Sequence, residues 1–212
     1  MKNKKIISVL SFLIVLIFSC FAEDVQIVFK LADGSDFTKT VKSDIKTLVL
    51  SERGNQFQNI KSISGLEKLT DLTCVNIYFM TFEDDFAFLE DVKSLKILGI
   101  SSFTKSLKFL ENLPELETAD LSLKVMVENR TSIENTNIDL KKLKNLKKIW
   151  FGISYFDCHK PTPSKFDSNF LHIPPFVNVQ NKPEIVLSLN QNNVEFSKKD
   201  RMLMKQYSKV AY

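Results

Sequence analysis

Four stretches of the sequence decide the fold: residues 66–78 read LEKLTDLTCVNIY, 89–101 read LEDVKSLKILGIS, 110–122 read LENLPELETADLS and 140–152 read LKKLKNLKKIWFG. Each stretch carries five apolar residues at one spacing, with three steps of three residues and a last step of two. Steps of three are typical of a turn or short helical segment, and a step of two is typical of a strand with one buried face. Because one copy cannot bury its own apolar side chains, the four copies predict coils stacked on a shared core, as in a solenoid.

Over residues 45–151 this pattern resembles the leucine-rich repeat family, whose strand signature is Leu-x-x-Leu-x-Leu. The copies start at 66, 89, 110 and 140, so they are 23, 21 and 30 residues apart. Repeats of the family have about 20–29 residues, and we therefore expect an insertion in the third copy, within residues 124–137. The family also places an asparagine three residues after the last strand leucine. Other residues hold those positions here: Met80, Phe103, Lys124 and Ser154.

The resemblance implies an α/β solenoid with short parallel strands on a concave side and short helical turns on a convex side. The competing interpretation is an ordinary α/β domain, in which amphipathic helices such as residues 138–146 alternate with buried strands. Parallel strands in such a domain need crossover connections of a dozen or more residues with helical patterning. The spacing of 21 residues between the second and third copies leaves little room for them, which favours the solenoid.

Residues 1–22 have the composition of a secretory signal. Three lysines within residues 1–5 precede a run of 13 uncharged residues at 6–18, which is shorter than the roughly 20 apolar residues of a membrane-spanning helix. Two cleavage routes remain open. Residues 17–20, IFSC, resemble a bacterial lipobox, which would make Cys20 a lipidated first residue, whereas cleavage after Ala22 would release a soluble protein. An uncleaved anchor is the third outcome.

The charge balance gives no reason to expect a nucleic-acid partner. The whole chain has a formal net charge of +4, and the three lysines of the leader account for +3 of it, which leaves about +1 on the mature chain. Nothing in that balance indicates nucleic-acid binding. The leader at residues 1–22 predicts that the protein is exported. It would be a lipoprotein of the outer membrane or cell surface, or a periplasmic or secreted protein.

The mature chain divides into three segments. Residues 23–44 alternate around an Asp33-Gly34 turn and predict a β-hairpin that caps the solenoid. Residues 45–154 hold the repeats, beginning with a partial copy whose strand is Leu48–Leu50. Residues 155–212 hold a proline-containing excursion at 155–176, a last strand around Leu187 and Leu189, and a capping helix over 198–210. Phenylalanines between the strands are expected to fill the core between layers: Phe79, Phe82, Phe86, Phe88, Phe103 and Phe109.

The alternation of strand side chains predicts which residues face a partner. If Val75 and Ile77 point into the core, their neighbours in the strand point out onto the concave sheet. The same register in every copy gives the predicted partner-binding residues: Asn76, Tyr78, Ser101, Asp120, Lys148 and Trp150. Trp150 is the only tryptophan, and an exposed tryptophan is a common interface anchor, unless the excursion at 155–176 folds over it.

The sequence shows little sign of catalysis. Cys158 with His159 and His172 could supply a metal site or a nucleophile and base, but no second ligand pair stands at a short fixed spacing. We expect Cys74 and Cys158 to lie about three strand layers apart, beyond the reach of a disulfide. The prediction is a non-enzymatic protein without cofactor or metal, with a cysteine hydrolase as a minor alternative.

The resemblance implies recognition of a protein or glycan at the bacterial cell envelope, in adhesion or host contact. The alternative is a structural or assembly factor of the envelope that uses its convex side or its carboxy-terminal helix. The basic face of that helix would be able to touch an anionic membrane surface. A further membrane contact, through a lipid anchor, depends on modification of Cys20.

Overall fold

The structure is a computed structural model that describes residues 22–51, 59–104, 106–126, 137–156, 176–189, 198, 202, 204–207 and 209–211. The strands are β1 (Asp24–Leu31), β2 (Asp36–Lys42), β3 (Thr47–Ser51), β4 (Asn59–Ser64), β5 (Cys74–Tyr78), β6 (Thr81–Phe82), β7 (Ile97–Phe103), β8 (Thr118–Met126), β9 (Ile138–Asp139), β10 (Lys148–Phe156), β11 (Phe176–Val177), β12 (Glu184–Leu189) and β13 (Lys209–Ala211). Three 3-10 helices are η1 (Leu66–Lys68), η2 (Ala87–Asp91) and η3 (Lys108–Asn112). The predictions on Cys20, Cys158, His159, His172 and most of the excursion lie outside the described residues.

Seven strands form one parallel sheet, the main sheet, in the order β3, β5, β7, β8, β10, β12, β13. The order follows the chain, because each coil adds its strand beside the strand of the previous coil. In the four repeats the strands pair at the predicted positions: Val75 lies opposite Leu98, Leu98 opposite Ala119, and Ala119 opposite Ile149. The predicted register of the repeats is therefore confirmed. The fold is mostly β, with a parallel sheet and few helices, in a solenoid-like arrangement.

The leucines before each strand line the core. The column Leu72, Leu95, Leu116 and Leu146 is buried in every coil, with at most 3% of any of these residues exposed. Each of the four donates its backbone N–H to the carbonyl of the apolar residue three positions earlier, at 3.0–3.3 Å. The recurring step of three residues is thus a recurring tight turn. Fully burying such a side chain contributes roughly 1.5–3 kcal/mol.

A ladder of backbone hydrogen bonds joins the coils where each strand begins. One carbonyl per coil accepts two consecutive N–H groups from the next coil, at 2.8–3.2 Å, and these carbonyls belong to Lys46, Thr73, Lys96 and Glu117. Buried or half-buried backbone groups need such partners. This ladder satisfies them at the strand starts without an asparagine side chain.

The amino-terminal strands form a second sheet in the order β2, β1, β4, β6. β1 and β2 are an antiparallel hairpin, in which Phe29 stacks on Phe37 with ring centroids 4.4 Å apart. On its other side β1 pairs with β4, and Gly65 lies so close that a Cβ there would be 2.3 Å from the Gln26 carbonyl oxygen. The hairpin also reaches the main sheet, since Lys39 Nζ donates to the Val49 carbonyl at 2.7 Å. Its role as a cap stays a prediction.

Five of the six phenylalanines predicted to fill the core have described side chains, and four of these five follow the prediction. Four of them are buried in ring contacts with centroids 4.8–6.3 Å apart: Phe82, Phe86, Phe88 and Phe109. The prediction is wrong for Phe79, which is 48% exposed. Phe79 follows the end of β5 with a φ of 58°, a left-handed conformation that turns the chain. The side chain of Phe103 is outside the described part of the structure.

The carboxy-terminal helix predicted over 198–210 does not extend to its predicted end. Helical positions are described at Lys198, Met202 and Met204, but residues 209–211 form β13. This strand pairs in parallel with Val186–Ser188 of β12. The backbone groups on the outer side of β12 require partners, and these three residues supply them.

Candidate functional site

Side chains that point away from the core on β3, β5, β7, β8, β10 and β12 form one surface, which we call the outer face. Its three rows are Thr47, Cys74, Ile97, Thr118, Lys148 and Glu184; then Val49, Asn76, Gly99, Asp120, Trp150 and Val186; then Ser51, Tyr78, Ser101, Ser122, Gly152 and Ser188. All six residues predicted to bind a partner lie on this face. Their role in binding remains a prediction.

The outer face exposes large apolar side chains on its first three strands. Val49 is 42% exposed, Tyr78 39% and Ile97 49%, and they lie on the adjacent strands β3, β5 and β7. We call these three residues the apolar patch. All-parallel sheets in α/β proteins normally have both faces covered. Val49, Tyr78 and Ile97 lie in different rows, so their exposed apolar surface is spread across three strands. Exposed apolar side chains of this size on a sheet face are instead typical of an interaction surface.

Trp150 lies along the sheet because the chain has no side chain two residues further on. A Cβ at Gly152 would be 2.4 Å from the indole Cη2 and 2.6 Å from Cζ3, so the six-membered ring lies over this glycine. Val186 is directly opposite Trp150 on β12 and is buried although it points outward. The indole is therefore held against the sheet, half-buried, between an apolar neighbour and the backbone.

Asp120 stands directly opposite Trp150, on the neighbouring strand β8. On the other side its neighbour is Gly99, whose Cα is covered by the Asn76 amide, with Oδ1 2.3 Å from where a Cβ would be. Loss of hydration raises the pKa of the Asp120 carboxyl above its ordinary value of 3.8. Among the described residues no side chain or backbone group donates a hydrogen bond to this carboxylate, and no cation pairs with it.

Other charges near the starts of β7, β8, β10 and β12 form ion pairs. Lys148 Nζ lies 3.2 Å from Glu184 Oε2 across β10 and β12. At the starts of the strands Glu117 lies between two lysines, with Lys147 in contact and Lys96 at 3.7 Å. The hydrogen bond from Lys147 holds the pKa of Glu117 below its ordinary value. Exposed pairs of this kind contribute little to stability, but they leave Asp120 as the uncompensated charge of the described outer face.

A groove of about 500 Å³ lies beside the fourth coil and was not predicted. Its polar lining comes from Glu117, Lys144, Asn145, Lys147, Asn181 and Lys182. Asn181 Nδ2 donates to the Lys144 carbonyl at 2.6 Å and fixes one wall. The run LKKLKNLKK at 140–148 was the available signal. The sequence alone did not indicate that the turn at 178–182 would complete a groove.

In the described part of the chain, no group of three or more histidine, cysteine, aspartate or glutamate side chains is placed to hold a metal ion. Cys74 is a half-buried free thiol whose sulfur accepts a weak hydrogen bond from Asn76 Nδ2 at 3.5 Å. No helix in the described ranges has the length and apolar character needed to cross a bilayer.

Comparison with known proteins leaves the family open. No family model matches the chain, and no curated protein matches it. Eleven chains of solved structures match, among them the crystal structure of an internalin from Listeria monocytogenes, with 14% identity and a TM-score of 0.26. The match covers 81% of this chain and 63% of the internalin, so the chain spans less than two thirds of that protein. At such values the similarity carries no functional argument, and the interpretation of the outer face rests on its own geometry.

Proposed function

We propose that this chain is a non-catalytic recognition module that binds a protein or glycan partner through the outer face. One observation carries the proposal: a parallel sheet has a face on which three large apolar side chains of adjacent strands are 39–49% exposed. Hydrophobic burial stabilises a contact by roughly 25 cal/mol per Å² of apolar surface. Covering such a surface with a partner therefore lowers the free energy of the complex.

The family membership, the export and the location that we propose rest on the sequence. The spacing of the four copies supports membership of the leucine-rich repeat proteins, and residues 1–22 support export. The proposed location is the bacterial cell envelope, with Cys20 as the lipidated residue and adhesion or host contact as the role. Mass spectrometry of the mature amino terminus tests this part, because a lipidated Cys20 and a free Glu23 differ in mass.

Binding by the outer face is tested with two matched serine variants. Ile97→Ser removes an apolar side chain from the apolar patch, and Val179→Ser removes one that is 36% exposed outside the outer face. The full chain and both variants are immobilised and incubated with envelope fractions, host-cell extracts and a glycan array. We expect Ile97→Ser to lose about tenfold in retained partner, which corresponds to about 1.4 kcal/mol, and Val179→Ser to match the parent. Equal retention by the two variants would contradict binding through this face.

The alternative of an assembly factor inside the envelope is tested on whole cells. A surface-exposed recognition module is cleaved by added protease, and an internal assembly factor is protected. Protection in intact cells, with cleavage after permeabilisation, would favour the assembly role.

A further inference from the structure

We propose that Asp120 and Trp150 form a binding site for an organic cation, and that the occupant is an arginine side chain of a partner protein. The inference rests on the proposed function, because it assigns a ligand class to part of the outer face. It goes further in that it commits to a protein partner and to the group that anchors it.

Charge is the first argument. The described outer-face rows contain three ionisable side chains of fixed charge, Asp120, Lys148 and Glu184, which sum to −1. Lys148 and Glu184 pair with each other at 3.2 Å, so the excess negative charge belongs to Asp120. Within the described structure this carboxylate has no ion pair, so it is complementary to a cation.

Hydration of the carboxylate is the second argument. Asp120 is an exposed residue, and contact with the sheet removes only part of the water around its carboxyl, which raises the carboxyl pKa. A carboxylate only accepts hydrogen bonds, and its two oxygens offer about four acceptor positions. None of these positions is filled from within the described structure. A guanidinium group can fill two at once with parallel N–H donors, which restores the lost hydration in the fixed geometry of a bidentate pair.

The indole is the third argument. Asp120 and Trp150 are directly opposite each other on strands about 4.8 Å apart. The six-membered ring of the indole lies over Gly152, and Trp150 is half-buried, so part of the ring remains accessible. The negative face of an aromatic ring attracts cations, and tryptophan attracts them most strongly. A planar guanidinium can stack on the indole while it donates to the adjacent carboxylate, whereas a compact ammonium cannot do both equally well.

The apolar patch favours a protein as the source of that cation. Ile97, on β7, lies two strands from Trp150, and Val49 and Tyr78 lie further along the same face. Protein interfaces combine buried aliphatic contacts with tryptophan, tyrosine and arginine anchors. A saccharide would stack on the indole and donate hydroxyl hydrogen bonds to Asp120, but it has no positive charge to balance the carboxylate and would leave the apolar patch exposed.

Trp150 reports on its own site, since it is the only tryptophan of the chain. The full chain is titrated with N-acetyl-arginine amide while the tryptophan emission is followed. The same titration uses N-acetyl-citrulline amide, which has the same shape without the charge, and methyl β-glucoside. We expect a saturable change with the arginine probe, with a dissociation constant of about 1–50 mM. The citrulline probe should bind at least about fivefold more weakly.

Two variants make the titration specific. Asp120→Asn removes the charge at the site, and Asp71→Asn removes an exposed carboxylate outside the outer face. Asp120→Asn should reduce arginine affinity to that of the citrulline probe, and Asp71→Asn should leave it unchanged. The proposal is overturned if both variants behave alike, if citrulline equals arginine, if glucoside alone perturbs the emission, or if no probe does. If the titration overturns the arginine site but Ile97→Ser still retains less partner than the parent, the proposed function is supported without this site.

Discussion

Leu116 lies in the middle of the stacked core, and its truncation should destabilise the protein strongly. Leu116→Ala removes three carbons from a side chain that is 0% exposed. At about 0.8 kcal/mol per buried methylene, the transfer contribution alone is about 2.4 kcal/mol. The cavity left between neighbouring coils adds to this, so the total loss should be about 3–5 kcal/mol. For a chain of this size that loss lowers the melting temperature by roughly 6–20 °C.

Ile97→Ala is the matched control, because it also removes three carbons but from a side chain that is 49% exposed on the outer face. Its cost should stay within about 0.5–1 kcal/mol. Urea unfolding followed by circular dichroism measures both free energies under one set of conditions. A loss below about 1 kcal/mol for Leu116→Ala, or equal losses for the two variants, would refute the stacked-core interpretation.

Three further substitutions probe other features of the structure. Ser102 is fully buried and its hydroxyl donates to the Met80 carbonyl, so Ser102→Ala should cost about 1–3 kcal/mol. Ser101→Ala, one residue earlier on the outer face, should cost under about 0.5 kcal/mol in the same urea titration. Gly65 and Gly34 both have a positive φ, of 98° and 88°, but only Gly65 lies against backbone. Gly34→Ala should cost about 1 kcal/mol, and Gly65→Ala clearly more; equal thermal shifts would contradict the close approach to β1. Because the pKa of Asp120 is raised in the folded state, its contribution to stability falls as pH rises through that pKa. Asp120→Asn should therefore be more stable than the parent near neutral pH, and this advantage should disappear in unfolding experiments below the ordinary pKa of 3.8.

The register of the main sheet was predictable because the apolar spacing itself specifies it. A strand shifted by one residue would expose Val75 and Ile77 and bury Asn76, so one pairing is strongly preferred. The positions of the outward residues follow from that pairing alone. For the same reason the sequence indicated Trp150 and Asp120 as surface residues without any knowledge of the coordinates.

Other features depend on contacts between coils and could not be read from one copy. Strands β6, β9 and β11 have two residues each, too few to show alternation. Asp120 lies between Gly99 and Trp150, which are 21 and 30 residues away in the sequence. Phe79 and Phe86 are both phenylalanines with a positive φ, yet Phe79 is 48% exposed and Phe86 is 0% exposed, so only the surrounding coils distinguish them.

The contact between Lys39 and the Val49 carbonyl bears on self-association. β3 is the outermost strand of the main sheet at the amino-terminal end, and a bare outermost strand is a template on which other polypeptides polymerise. An incoming strand would have to displace the Lys39 ammonium from that carbonyl and strip it of water, which is unfavourable. Lys39 therefore disfavours the addition of another strand, and so fibre growth, at the first coil. Association with other molecules is then more favourable at the broad face of the sheet than at this edge.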